Sequence, residues 1–253
     1  MSKTVSFHLQ KGGVGKTTIS VRVACESALQ GIKTILVDLD PQGNASSWFY
    51  TSLVKYEVAD VLKGECFIDD AIISIPSIKN LYLMPSFGIG GELKQYGELS
   101  IQAEPYIIKD LVRHLSKSFD HIILDLSPGL GNLEISALIA SDEIITPMTP
   151  EIFSLDGLEI FIDELKKIKE KYSSDVLHKK VIINSYDGRI RQHKKIMEAA
   201  LKGEYSIYKI PVDPTFRKAQ ESHDAPQLFK YKGKGLKVNT VKAINEIASQ
   251  IWR

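Results

Sequence analysis

Cysteine is scarce. The 253 residues contain two, Cys25 and Cys66, and they lack metal-ligand spacing. One disulfide would be a thin framework for this length, so a reducing compartment is expected. No run of about 18 apolar residues occurs, so no membrane-spanning helix is expected. The chain passes from MSK straight into an alternating pattern with no long apolar stretch, and a secretory signal is therefore not expected. Internal repeats, low-complexity tracts and Pro/Ser-rich linkers are missing too, which favours one domain over two. With 43% hydrophobic and 25% charged residues and a net charge of +1, the composition is that of an ordinary globular chain and selects no class of partner.

The charge is unevenly placed. Residues 179–253 hold 16 Lys+Arg against 7 Asp+Glu, whereas the remainder holds 16 basic against 24 acidic residues. A basic final third suits a nucleic-acid or anionic-lipid footprint, and equally suits a solvated surface with uneven charge.

Short apolar runs alternate with longer helical patterns. TVSFHL (4–9), KTILVDLD (33–40), NLYLMP (80–85), DHIILDL (120–126), DEIITPM (142–148) and KKVIINSY (179–186) read as strands apolar on both faces, as buried parallel strands are. Helices are expected from Gly15 to about Gln30 and near 104–117, 131–140, 154–171, 190–203 and 239–252. This alternation predicts a single α/β domain, a mostly parallel twisted sheet flanked by helices. Region 41–79 has no clear pattern, and 86–103 reads as a surface loop with a helical turn.

The stretch LQKGGVGKTTIS (9–20) lies between the first strand and the first helix. The standard phosphate-loop pattern wants glycine at position 10, which is Gln10. The variant K-G-G-x-G-K-[ST]-T fits throughout, from Lys11, Gly12, Gly13, Val14 and Gly15 to Lys16, Thr17 and Thr18. Glycines let backbone N–H groups surround phosphate oxygens, and the helix N-terminus adds partial positive charge. Lys16 is expected to reach the β- and γ-phosphates of a nucleotide, and the Thr17 hydroxyl to ligate Mg²⁺. VDLDPQGN (37–44) places Asp38 and Asp40 on one side of an extended chain, at a strand's carboxyl end. DHIILDLSPGLG (120–131) ends an apolar run in Asp125, the arrangement of a Walker B carboxylate.

KGGVGKTT followed by ILVDLDPQGNAS resembles the deviant Walker A ATPases of the ParA/MinD family. The resemblance implies a P-loop NTPase fold, ATP/ADP and Mg²⁺ as cofactors, and slow, partner-stimulated ATPase activity. It implies that Lys11 reaches the partner subunit's nucleotide in an ATP-sandwiched homodimer. It further implies that Asp40 positions the attacking water, that Asp38 acts near the Mg²⁺ shell and that Asp125 holds the ion. Asn184, in VIINSYDGRI, matches the residue that reads the adenine edge, and Pro211 and Asp213, in KIPVDPTF, match the loop that closes over the base. The chain departs from the family at Ser127-Pro128, where two prolines are frequent, and at Arg22, where asparagine is usual.

PGLGNLEISAL (128–138) and TPEIFSLDGLEIF (149–161) resemble the DNA-partitioning ParA/Soj branch. That branch implies non-specific DNA binding, a ParB-like centromere-binding partner, and a cytoplasmic, nucleoid-associated location. The phosphate loop starts at residue 11, so an N-terminal helix-turn-helix extension and operator-specific binding are not expected. Candidate DNA contacts are Arg189, Arg191, Lys194, Lys195, Arg217, Lys218, Lys230, Lys232 and Lys234. The alternative is a MinD-like or cargo-positioning ATPase at a membrane surface or on a protein cluster. Against a membrane anchor, the spacing of residues 241, 244, 247, 248 and 251 predicts a helix face turned to the core.

Overall fold

The computed structural model describes residues 2–49, 54–99, 104–218 and 235–252. The strands are β1 (Lys3–Phe7), β2 (Thr34–Leu39), β3 (Ile73–Ser74), β4 (Leu81–Met84), β5 (His121–Leu126), β6 (Glu143–Met148), β7 (Leu177–Tyr186) and β8 (Ser206–Pro211). The helices are α1 (Lys16–Leu29), α2 (Asn44–Ser47), α3 (Val58–Lys63), α4 (Leu93–Leu99), α5 (Ile107–Leu115), α6 (Asn132–Ala140), α7 (Ile152–Tyr172), α8 (Arg191–Ala200), α9 (Pro214–Lys218) and α10 (Val238–Ile251).

The strands form one sheet in the order β3-β4-β2-β5-β1-β6-β7-β8. Every pairing is parallel except β3 with β4. The predicted parallel α/β sheet is the observed one. Alternation along each strand feeds two cores. Ile35, Val37 and Leu39 of β2 and Ile122, Leu124 and Leu126 of β5 face the core built with α3 to α8. Leu36 and Ile123 face the opposite core, closed by α1 and α10.

The chain runs outward from β1 to β2 on one side, while β6 lies on the other. The carboxyl end of β1 is therefore a point where the strand order reverses, and a crevice forms there. The phosphate loop leaves β1 at this point.

Two segments are more structured than the sequence suggests. Residues 206–211 within the KIPVDPTF region and just before it form β8. Its mixed exposure, as a strand bonded to β7 at the end of the sheet, leaves little periodic signal. The unassigned 41–79 region contains α2, α3 and β3, all six residues or shorter. Such lengths fall below the window that hydrophobic periodicity needs. The expected turn in 86–103 appears as α4.

Arg22 sits inside the α1 face, 6% exposed, paired with Glu26 one turn on. The final helix is core: Thr240, Ile244, Ile247, Ala248 and Ile251 are buried, and α10 packs on α1 and β8. Trp252 extends this seal by stacking on His121 and donating to Ser27 Oγ at 2.7 Å. Among the described residues no helix is long and apolar enough to cross a membrane. Ile247→Ala is expected to lower the unfolding free energy by about 2–5 kcal/mol, read by urea denaturation. A change within error would show that this face is not a packed core.

Candidate nucleotide site

The site begins where β1 ends. Gly13 (φ 74°) and Gly15 (φ 96°) lie in the left-handed region, which turns the loop back on itself before α1. At Gly15 a methyl group would also stand 2.4 Å from Asn184 Nδ2. A side chain at Gly12 or Gly13, by contrast, would meet nothing within 4 Å, because both border a cavity of about 700 Å³. Helix α1 starts with no side-chain cap and no acidic residue in its first turn. Its first residues, Lys16, Thr17 and Thr18, line the same cavity. Uncapped N–H groups and glycines whose side chains would project into open space form a cradle with the size and polarity for phosphate.

The two loop lysines stand in different places. Lys16 is 7% exposed, and its Nζ donates to the carbonyls of Lys11 (2.9 Å) and Leu9 (3.3 Å). Burial lowers its pKa, while Asp125 and Asp40 act to raise it. Lys11 reaches outward to the start of α7. Its Nζ donates to Glu151 Oε2 and to Ser154 Oγ, both at 2.8 Å. Lys11 in turn lowers the pKa of Glu151.

Asp38 and Asp125 lie in register on adjacent strands, and both are fully buried. Burial raises both pKa values, and Asp125 raises that of Asp38 further. Asp38 is saturated by its own loop. Oδ1 accepts from Asp40 N–H (3.1 Å), and Oδ2 accepts from the N–H (2.8 Å) and hydroxyl (2.7 Å) of Ser46. These bonds shape the turn that carries Asp40. Asp40 borders the cavity, with Oδ1 fixed by Gln42 N–H at 2.9 Å. Asp125 accepts from Ser20 Oγ at 2.8 Å on Oδ1, while its buried Oδ2 has no hydrogen-bond partner. An unpartnered carboxylate oxygen and the nearby Thr17 hydroxyl are a donor set of the hard oxygen type that Mg²⁺ takes. The residues therefore fit a magnesium ion held by Asp125 and Thr17.

On the side of β7 and β8 the cavity is lined by Asn184, Ser185, Pro211, Asp213 and Phe216. Asn184 also grips the phosphate loop, its Nδ2 donating to Val14 O at 3.0 Å. Asp213 uses Oδ1 to accept from Thr215 N–H (2.9 Å) and Oδ2 to accept from Lys237 N–H (2.8 Å). Its carboxylate thus shapes the closing loop. Ser185 (φ 58°) occupies the left-handed region where β7 shifts register, a strain that often accompanies function. Nothing in the local sequence signals it. Gln42, Asn44, Pro128, Thr149 and Glu151 complete the lining and were not identified as site residues from the sequence.

The candidate DNA residues do not behave alike. Arg191, Lys194 and Lys195 are exposed on α8, and Lys218 is exposed on α9. Arg189 is held by Asp187, Nε to Oδ1 at 3.0 Å and Nη2 to Oδ2 at 2.6 Å, which holds the Asp187 carboxyl well below its usual range. Only the backbone of Arg217 is described, and Lys230, Lys232 and Lys234 lie outside the described residues.

Fold and site together define a nucleotide-binding protein of the P-loop class. A family model described as an AAA domain matches residues 2–178. An uncharacterized protein of Borreliella burgdorferi is 33% identical over 221 residues, covering 86% of this chain and 88% of that one. The sporulation initiation inhibitor protein Soj of Bacillus subtilis is 30% identical over 232 residues, covering 89% and 90%. Among solved structures, a Borrelia burgdorferi protein bound to AMPPNP superposes with a TM-score of 0.81 at 24% identity, covering 99% of each chain. The septum site-determining protein MinD of Pyrococcus horikoshii, complexed with Mg-ADP, gives 0.79 at 23%, covering 99% of this chain and 96% of that one. The chain belongs to the ParA/MinD family of P-loop ATPases.

Gly15→Ala puts a methyl against Asn184 and forces a strained φ. It is expected to weaken ATP binding at least about tenfold by equilibrium titration. Wild-type affinity in that variant would show that the loop geometry does not form the cradle.

Proposed function

We propose that this chain is an ATP-dependent dimerisation switch with slow ATPase activity. It binds DNA non-specifically and partitions plasmid or chromosomal DNA with a ParB-like partner, in the cytoplasm and on the nucleoid. The observation that carries the reading is the outward placement of Lys11. One loop lysine is sunk beneath the cradle, and the other is held at its rim by α7. An ammonium at the rim is placed to serve a phosphate other than its own.

The surroundings of the rim support a second copy. Phe87 and Ile89 after β4, Ile152 and Phe153 opening α7, Ile190 after β7 and Val212 after β8 are all exposed. All six follow carboxyl ends of strands, the edge on which the cavity opens. Large apolar side chains gathered on one edge suit burial against a partner surface.

The chain's own groups suit phosphoryl transfer to water. The glycine cradle and the α1 N-terminus bind the phosphates, and Lys16 neutralises charge on them. Asp40, fixed by Gln42 N–H, orients the attacking water. Asp38 holds the turn on which Asp40 stands. Mg²⁺ held by Thr17 and Asp125 would stabilise the charge that develops on the phosphate oxygens. Acceleration then comes from positioning and charge. Exposed Arg191, Lys194, Lys195 and Lys218 follow β7 and β8, so closure at this edge would assemble basic groups from two copies into one DNA-binding surface.

Lys11→Ala is expected to bind ATP like the wild type but to remain monomeric in size-exclusion chromatography with ATP and to lose turnover. An ATP-dependent dimer that hydrolyses normally would sink the reading. Asp40→Ala is expected to keep ATP binding and accumulate the dimer, and a monomeric, fully active variant would remove the assigned role. Wild-type affinity for DNA should require ATP and fall with salt. Replacing Lys194 and Lys195 with alanine removes two contacts from each copy and should flatten the log–log salt slope of the dimer by about 4 units. ATP-dependent sedimentation with anionic liposomes and none with DNA would favour positioning at a membrane instead.

A further inference from the structure

The loop of residues 127–131 joins Asp125's strand to α6, and it carries Pro128 into the wall of the nucleotide cavity. One carboxylate holds this loop from behind. Glu134, 7% exposed, accepts from Ser127 Oγ on Oε1 at 2.6 Å and from Gly131 N–H on Oε2 at 2.8 Å. Ser127 Oγ also accepts from Gly129 N–H at 3.0 Å. The fit is close: a methyl at Gly131 would lie 3.1 Å from Glu134 Oε2, and one at Gly129 3.3 Å from Ser127 Oγ. Glu134 itself is not part of the nucleotide cavity. It faces a separate cavity of about 270 Å³ between this loop, α4 and Pro41, the residue after Asp40.

Position 127 is a serine directly before Pro128, where a second proline would be the simplest way to stiffen the loop. A proline ring fixes φ and limits the loop before any contact is made. Serine imposes no such limit, yet here its hydroxyl is captured by a buried carboxylate that also captures the far end of the loop. We infer that Glu134 is a positioning residue for ATP hydrolysis. Through Ser127 and Gly131 it supplies by hydrogen bonding the loop rigidity that proline supplies covalently, and so fixes Pro128 and the end of β5 beside the phosphates. The inference rests on the nucleotide cavity being an ATPase site.

Single-turnover and steady-state ATP hydrolysis by the full chain test it. Glu134→Ala and Ser127→Ala are each expected to lower kcat about tenfold and leave KM for ATP within about twofold, because the cradle is untouched. Adding Ser127→Pro to Glu134→Ala should return kcat to within about threefold of the wild type, a recovery that a merely structural role of Glu134 would not give. If Glu134→Ala does not fold, Ser127→Ala carries the test, since it leaves the Glu134–Gly131 bond in place. Unchanged kcat in Ser127→Ala, a loss confined to KM, or no recovery by proline in a folded double variant overturns the clamp. A wild-type chain that binds ATP but never hydrolyses it removes the underlying reading, and the clamp with it.

Discussion

The site is organised around two carboxylates that should be costly to bury. Asp38 and Asp125 stand side by side at the ends of β2 and β5 with no exposed surface. An isolated charge in such a place would protonate or draw in a partner. Each carboxylate is instead surrounded by groups whose placement then constrains the loops. Asp38 takes three hydrogen bonds from the turn that follows it, so satisfying the carboxylate and shaping the Asp40 loop are the same event. Asp125 takes a hydrogen bond from Ser20 of α1, tying the strand end to the helix that begins the cradle. Lys16, itself disfavoured as a cation by burial, is supported by Asp125 and Asp40. Three loops from three strands are therefore coupled electrostatically. A divalent cation held by Asp125 and Thr17 would relieve a cost the fold already bears.

The sheet order decides which loops can take part. β1 lies between β5 and β6, and β2 lies beyond β5, so the phosphate loop, the Asp40 turn and the 127–131 loop emerge as neighbours on one edge. Asn184 at the end of β7 reaches across to Val14 and fixes the loop from its other side. The β7 side of the cavity and the phosphate loop thus share a hydrogen bond, and substitution at Asn184 would disturb both.

The parts readable from sequence were those with local chemistry. Glycines at fixed offsets from Lys16, apolar runs ending in Asp38 and Asp125, and the helical period of residues 241–251 each express a local physical need. Contacts between distant segments left no such trace. The pairings of Lys11 with Glu151 and of Asn184 with Val14 each span about 140 residues or more. The capping of two backbone groups by Asp213 depends on Lys237, far along the chain. The serine at 127 expresses no such local need in the sequence. Its significance appears only with Glu134, a glutamate that in sequence reads as an ordinary first-turn helix residue.

The contrast between the two loop lysines follows from where each ion is solvated. Lys16 has exchanged water for two backbone carbonyls, and Asp125 and Asp40 favour its charge from nearby. Lys11 is different. Its side chain is 25% exposed, and Glu151, its partner, is 59% exposed. Water screens such a pair, and exposed pairs contribute only about 0–1 kcal/mol. Parting Lys11 from Glu151 therefore costs little, and Ser154 Oγ is its remaining hold on α7. The same loop thus holds one cation committed to its own cavity and another paired at the rim with an exposed carboxylate. Glu151 both borders the cavity and holds Lys11, so the start of α7 ties the rim lysine to the cavity wall.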